Sequence, residues 1–358
     1  MLAAIDAARE SVRLETYIFT DDKLGRKFLA ALIRAARRGA RVLVLVDAIG
    51  SWLLPANFFE TLTAAGGEAR RFNPIHLWRF SVRNHRKLLV CDNTMAFVGG
   101  FNVGCEYDGD GITCGWCDTG MRISQPALAE ELAASFDALF ALADFKRRPW
   151  QRLRLFKHRR KSRAAIGQFL PSQPGRGASP FQAALYRDLS EAHDLRIMSA
   201  YFLPTWRLRH EIIKAARRGA RVQIILAGKT DVLLSQLAAR SLYRRLLKAG
   251  VEIYEYQPQI LHAKLIVCDS IAYVGSSNLD IRSLNLNYEL MLRFADETVA
   301  VGAREAFDCA LKHSQPVRRG KWEKSLTFWQ RWKNNWARFL LARIDPLIAL
   351  SQFRAVRK

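Results

Sequence analysis

The chain is short of acid. Its 358 residues hold 33 Asp+Glu against 56 Lys+Arg, a formal charge of +23, and that excess needs an anionic partner in solution or at a surface. Long apolar runs are missing too: no stretch of 18 apolar residues occurs, and the nearest approach, residues 42–59, is broken by Asp47, Gly50 and Pro55. An integral bundle of membrane-spanning helices is thereby excluded. The opening segment carries Asp6, Glu10 and Glu15 and has no apolar core, so it does not read as a secretory signal. Cysteine is sparse. Six residues (Cys91, Cys105, Cys114, Cys117, Cys268, Cys309) are too few for a disulfide scaffold, and Cys91 and Cys268 lie in apolar strand-like runs where packed thiols are usual. A reducing cytoplasm is expected. Apolar material is not lacking: 50% hydrophobic residues over this length is enough for two cored domains, which excludes intrinsic disorder.

A repeat organises the chain. Residues 35–42, AARRGARV, recur identically at 215–222, a displacement of 180 residues. In each copy a helix-like run meets a glycine, Gly39 or Gly219, the residue that takes the left-handed conformation at helix ends. A β-branched run follows (VLVLVDA, VQIILAG), and an apolar strand precedes each helix, at Leu14–Phe19 and Leu195–Phe202. Strand, helix, glycine, strand in both halves predicts two duplicated α/β units.

The second repeat carries chemistry. His85-Arg86-Lys87, four residues, then Asp92 recurs as His262-Ala263-Lys264, four residues, then Asp269. Each is followed by a matching strand and turn, FVGGFN ending at Asn102 and YVGSSN ending at Asn278. In an extended H-x-K the imidazole and the ammonium share one face. A metal is disfavoured, because each histidine has a lysine beside it that would repel a cation. Phosphodiester chemistry suits the set: it needs a nucleophile, an acid for the leaving oxygen and cations on the non-bridging oxygens. Two histidines can share the first two tasks, while Lys87, Lys264, Asn102 and Asn278 supply donors to phosphate. Neither half owns both histidines, so the site is expected where the halves face each other across a pseudo-two-fold.

With two H-x-K-x4-D motifs, the chain resembles the phospholipase D superfamily over essentially its whole length. Within it, the segments LETYIF, NHRKLLVCD with FVGGFN, AYFLP (200–204) and NYEL (287–290) are most similar to bacterial cardiolipin synthases of the soluble, B-like type. The resemblance implies a phospholipase D-like fold: two duplicated α/β/α domains with mixed sheets. It also implies transfer without metal or other cofactor, in two steps through a covalent phosphohistidine, with His85 as nucleophile and His262 as general acid and then base. It further implies an orienting acid downstream of each motif, which falls on Asp118 and Glu289. The motif set is then His85, Lys87, Asp92, His262, Lys264 and Asp269, with a structural role favoured for both aspartates because each ends a strand. Met1 falls within the first helix, so a strand that usually precedes it is expected to be missing. Cys114-Gly115-Trp116-Cys117 mimics a redox pair but lies in a glycine-rich loop rather than at a helix start, and is read as coincidence.

The expected organisation is an N-terminal domain over 1–145, a basic linker over 146–180, a C-terminal domain over 181–318 and a basic amphipathic tail over 319–358. The linker holds ten Lys/Arg and no acid between Lys146 and Arg163, interleaved with Trp150, Leu153, Leu155 and Phe156. In the tail, Trp322, Leu326, Trp329, Trp332, Trp336, Phe339, Leu340, Ile344 and Leu347 form one helical stripe opposite Lys324, Arg331, Lys333, Asn334 and Arg338, with Pro346 breaking the helix near its end. Such a helix suits a lipid headgroup layer or, alternatively, docking on the protein's own core. The expected partner is therefore an anionic phospholipid, phosphatidylglycerol, at the cytoplasmic side of the inner membrane, held peripherally. Nucleic acid also suits the charge, but a nuclease has no obvious use for the stripe. The expected reaction joins two phosphatidylglycerols into cardiolipin and glycerol; hydrolysis to phosphatidic acid would use the same site.

Overall fold

The computed structural model describes residues 1–74, 82–143, 167–174 and 177–344. In the first half the order is α1 (Leu2–Ala7), β1 (Ser11–Thr16), α2 (Lys23–Arg37), β2 (Arg41–Asp47), α3 (Glu60–Ala64), β3 (Glu68–Phe72), β4 (Leu88–Cys91), β5 (Met95–Gly99), β6 (Gly120–Ile123) and α4 (Pro126–Phe140). In the second it is β7 (Gly167–Ser172), α5 (Pro180–Glu191), β8 (Asp194–Ser199), β9 (Phe202–Leu203), α6 (Trp206–Arg217), β10 (Arg221–Ala227), α7 (Leu233–Lys248), β11 (Glu252–Tyr256), β12 (Lys264–Cys268), β13 (Ile271–Gly275), β14 (Leu279–Asp280), α8 (Ile281–Asn285), β15 (Glu289–Ala295), α9 (Glu297–Lys312) and β16 (Ser314–Pro316). Two tail helices follow, α10 (Arg319–Ser325) and α11 (Phe328–Phe339).

Both sheets are mixed. The first runs β3-β2-β1-β4-β5-β6, and the second runs β16-β11-β10-β8-β12-β13-β15-β7, repeating that order with one more strand at each edge. The extra strand β7 directly precedes α5. It also lies inside the span expected as linker. Lys146–Arg163 and its interleaved aromatic and leucine residues lie outside the described residues, as do Pro346 and Leu347.

The repeated octapeptide does the same work twice. Asp22 caps α2 by accepting the Gly25 N–H at 2.8 Å; Phe28, Ala31, Leu32 and Ala35 turn inward, and Gly39 ends the helix at φ +92°. In the other half Thr205 caps α6 through the Leu208 N–H and Gly219 closes it at φ +100°. One apolar core crosses the boundary: Phe136, Leu139 and Leu128 of α4 pack in a single cluster with Tyr288, Leu290, Leu292 and Phe294 of the second half. The halves are thus welded by buried side chains rather than merely tethered.

The duplication is not exact beneath the first motif. Arg86 pairs with Glu15 (Nη2 to Oε2, 3.2 Å), both side chains shut off from solvent, and Asn84 donates to the same carboxylate at 2.7 Å. At the equivalent places the second half has Ala263, Met198 and Leu261, all buried. A buried ion pair gains little over well-packed apolar groups, but losing one partner strands a charge. Glu15→Met alone is therefore expected to cost about 3–5 kcal/mol. Adding Asn84→Leu and Arg86→Met should recover most of it in chemical denaturation, and a triple variant no more stable than the single would refute this.

The tail departs from the expected single helix. Thr327 and Gln330 form a capping box, Gln330 N–H to Thr327 Oγ1 at 3.2 Å and Thr327 N–H to Gln330 Oε1 at 2.9 Å, so a new helix starts there and the stripe divides. Trp322, on α10, turns toward Tyr243 of α7, ring centroids 5.0 Å apart. The face that α11 lays on α7 is the small and polar one, with Asn334 and Ala337 buried. Phe328, Trp329, Trp332, Trp336 and Phe339 face outward, between 48% and 75% exposed. Docking and an outward aromatic face thus coexist.

Candidate active site

Each motif reaches the site through a short extended segment hydrogen-bonded to the opposite half. The His85 N–H donates to the Tyr288 carbonyl at 3.0 Å, and the Tyr288 N–H to the Arg83 carbonyl at 2.9 Å. The counterpart joins Cys117 N–H to the Ile260 carbonyl at 2.9 Å and His262 N–H to the Cys117 carbonyl at 2.7 Å. Tyr288 and Cys117 directly precede Glu289 and Asp118. These crossings therefore exchange the carboxylates. His85 Nδ1 lies 3.0 and 3.1 Å from the two oxygens of Glu289, and His262 Nδ1 lies 2.7 Å from Asp118 Oδ2. Each imidazole is held by the acid downstream of the other motif.

The lysines sit beside their own histidines. Lys87 Nζ donates to the His85 carbonyl at 2.7 Å; Lys264 Nζ lies 2.9 and 3.1 Å from the two ring nitrogens of His262 and also meets its carbonyl. Burial dominates the electrostatics, since removing water disfavours every charged form. It holds His85 well below the usual imidazole value, with Lys87 and then Lys264 pushing the same way. His262 is pushed down to about 4 by burial and Lys264, against Asp118, which raises it. Burial lifts Glu289 to about 8, partly offset by Lys87 and by the Ser276 hydroxyl. It lowers Lys87 well below the usual ammonium value and Lys264 to about 8, partly offset by Asp118 and Glu289.

A consequence concerns pH. The ammonium of Lys264 is present below about 8 and lost as the pH rises through that value rather than through 10.5. The inhibition constant of a competitive phosphate analogue is expected to be nearly level between about pH 5 and 7 and to weaken by at least tenfold per pH unit above about 8, where Lys264 loses its charge and Glu289 gains one. Unchanged inhibition up to pH 9.5 would sink it.

The carboxylates have tailored surroundings. Ser276 donates to Glu289 Oε2 at 2.5 Å. The matching position, Gly100, leaves room for Asp118: a Cβ there would stand 2.2 Å from Asp118 Oδ1. Gly100→Ala is expected to dislodge Asp118 and lower kcat about a hundredfold without shifting the unfolding midpoint; wild-type kcat would refute the constraint. Aromatic walls not singled out in the sequence complete the site. Tyr17 stands edge-on to His85 at 5.0 Å, and Tyr107 and Trp116 each lie 5.4 Å from His262. Tyr17 could have been noticed inside LETYIF, but its neighbour in space is set by the fold.

Not every candidate converges. Asp92 and Asp269 lie beyond the far ends of β4 and β12 from the histidines. Asp92 accepts the N–H groups of Arg9, Glu10 and Ser11 at 2.8–3.2 Å, and Asp269 those of His193 and Asp194 at 2.8–3.1 Å. Both have positive φ, 51° and 49°, so they shape the turns that start β1 and β8 and cannot join the four central groups. Asn102 is tied inward, donating to the Tyr107 hydroxyl at 2.7 Å and accepting the Ile18 N–H at 3.2 Å. Asn278 is buried, and its side-chain amide oxygen has no hydrogen-bond partner among the described residues. All six cysteines are free. Among the described residues no group of three or more His, Cys, Asp or Glu side chains could hold a metal, and no helix is long and apolar enough to cross a membrane.

Comparisons with known proteins bear on the fold and the family. The crystal structure of phosphatidylserine synthase from Haemophilus influenzae superposes with a TM-score of 0.74 at 16% identity, covering 97% of this chain and 91% of that one; it supports the fold alone. Cardiolipin synthase B of Salmonella typhi is 36% identical over 305 residues, 82% of this chain and 73% of that protein. Cardiolipin synthase of Clostridium perfringens is 34% identical over 336 residues, 90% and 70% of the two. The family model described as "Cardiolipin synthase, PLD-like domain" matches residues 1–140 and 185–310, taking in both histidine motifs and both exchanged carboxylates. By that match and by those identities, the chain belongs to the cardiolipin synthase family of phospholipase D-like proteins.

Proposed function

We propose that the protein is a cardiolipin synthase acting by transphosphatidylation. The observation that carries this is the pair of imidazoles, each held at Nδ1 by a carboxylate from the opposite half with an ammonium at its side. Holding Nδ1 directs Nε2 to the substrate. His85 Nε2 attacks the phosphorus of one phosphatidylglycerol and forms a P–N bond; the P–O bond to the headgroup glycerol breaks, and His262 gives its proton to the departing oxygen. The hydroxyl of a second phosphatidylglycerol then surrenders its proton to His262 and attacks phosphorus, breaking the P–N bond. Cardiolipin and glycerol result. Lys87 and Lys264 neutralise the non-bridging oxygens where the charge develops.

Relatives named cardiolipin synthase at 34–36% identity support this substrate. The outward aromatic face of α11 supports peripheral attachment to a membrane, with tryptophans at the level of the headgroups, and the cytoplasmic side of the inner membrane is the proposed place. The domains act as one unit in this reading, 1–145 and 181–318 each giving half of the site. The test is to incubate the protein with labelled phosphatidylglycerol vesicles in chelator and separate the products. Cardiolipin with an equivalent of glycerol is expected. Phosphatidic acid alone would replace the synthase with a hydrolase, and cleavage of single-stranded DNA without any lipid product would replace it with a nuclease.

A further inference from the structure

Behind the tryptophan face, between α7 and the pair α10 and α11, lies a cleft of about 440 Å³ that shares no residue with the active site. Its charged lining is Arg240, Arg244, Arg245, Lys248, Arg331 and Arg338, against one acid, Glu323. Much of that charge is unanswered. Arg240 is taken up by Glu255 at 3.0 Å, and Glu323 is divided between Arg244 at 3.5 Å and Arg319 at 3.2 Å. Among the described residues Arg331 reaches only the Glu323 carbonyl. Among the described residues Arg245, Lys248 and Arg338 have no acidic partner. Their crowding is felt nearby, because Arg209 of α6 is lowered by burial and then by the charges of Arg245 and Arg338.

A second observation points to a missing acceptor. Trp322 lines the cleft, and its indole N–H, shielded from water, has no hydrogen-bond partner among the described residues. Shielded donors are usually paired. Leu326 adds apolar surface to the lining. Guanidinium and ammonium groups, an indole donor and an apolar wall are the complement of a phosphate attached to hydrocarbon. The aromatic residues Trp332 and Trp336 leave the same helix that supplies Arg331 and Arg338, so a headgroup in the cleft would have its chains beside a face suited to the bilayer surface. This favours a lipid over a nucleic acid.

We propose that this cleft binds the phosphate of an anionic phospholipid that is not the lipid being turned over. The site holds the enzyme to anionic membrane through a specific headgroup contact as well as through its tryptophans. It stands or falls independently of the reaction proposed above, because its readout is binding.

The test measures partition of the full chain onto phosphatidylcholine vesicles with and without phosphatidylglycerol. The variant R245S/K248S/R338S is expected to lose about a hundredfold in partition onto the anionic vesicles, from about 1 kcal/mol for each cation. Its partition onto pure phosphatidylcholine and its turnover of a monomeric short-chain substrate should be unchanged. K27S/R37S/R41S removes three exposed cations from the first half and should lose less than about threefold; equal losses in the two triples would mean diffuse attraction and overturn the site. Should the first triple unfold, R245K/R338K keeps the charge but loses the planar fork, and an intermediate loss is expected, with wild-type partition counting against the proposal. Inorganic phosphate that displaces the protein from vesicles at millimolar concentration would assign the cleft to free phosphate instead.

Discussion

His85→Ala and His262→Ala are each expected to reduce turnover at least ten-thousandfold, and the double variant should be no worse than either single one. Groups that act as one unit fail together, so the losses do not add. The two singles should still differ in what they leave behind. On a phosphodiester with an activated aryloxide leaving group, protonation of the departing oxygen is dispensable, so His262→Ala should form the phosphohistidine and stall, giving a burst of one equivalent. His85→Ala should give none. A burst from His85→Ala and none from His262→Ala would exchange the two roles, and substantial steady turnover in either would remove the two-histidine mechanism altogether. Neither change touches the boundary core of Phe136, Leu139 and Leu292, so the folded yield should hold.

Glu289→Gln and Asp118→Asn should each cost about a thousand- to ten-thousandfold in kcat, the scale seen when an amide replaces the acid that fixes a catalytic imidazole in its tautomer. Because the carboxylates are exchanged, the effects should cross between halves. Asp118→Asn, in the first half, should behave like a lesion of His262: the activated substrate should still give the one-equivalent burst, a rescue confined to the first step. Glu289→Gln, in the second half, should behave like a lesion of His85 and stay inactive on that substrate. If rescue followed the other pattern, the pairing of acids with histidines would be wrong.

That crossing shows where the sequence stops being legible. The duplicated H-x-K and the glycine after each helix are local patterns, so the histidines, the lysines and the repeat of strand, helix and strand could be read without the fold. The acids were legible as positions but not as partners, because the crossing depends on single-residue pairings of Asn84 with Tyr288 and Cys117 with Leu261. No periodicity records these. Asp92 and Asp269 sit inside the motif yet work on the backbone of another segment, and their positive φ belongs to a turn that their residue type merely permits. The tail illustrates the reverse: its stripe was legible, but neither the Thr327–Gln330 box that splits it nor the face that packs was read from the sequence. Asn334 and Ala337 go inward because α7 offers a close approach, and a helix's own periodicity cannot say what it will meet. The substitution of Met198, Leu261 and Ala263 for Glu15, Asn84 and Arg86 is visible in a repeat alignment, though only the burial of both sets shows that they fill one role.

The exchanged carboxylates also make competence cooperative in the distance between the halves. Separating them by a couple of ångströms would draw both imidazoles off their acids in the same movement, with each half still folded. An enzyme built this way has no half-active intermediate: it is closed and poised, or open and inert. Any force that pries at the seam, from a bilayer surface or from a denaturant too dilute to unfold either core, should extinguish turnover before it alters the secondary structure.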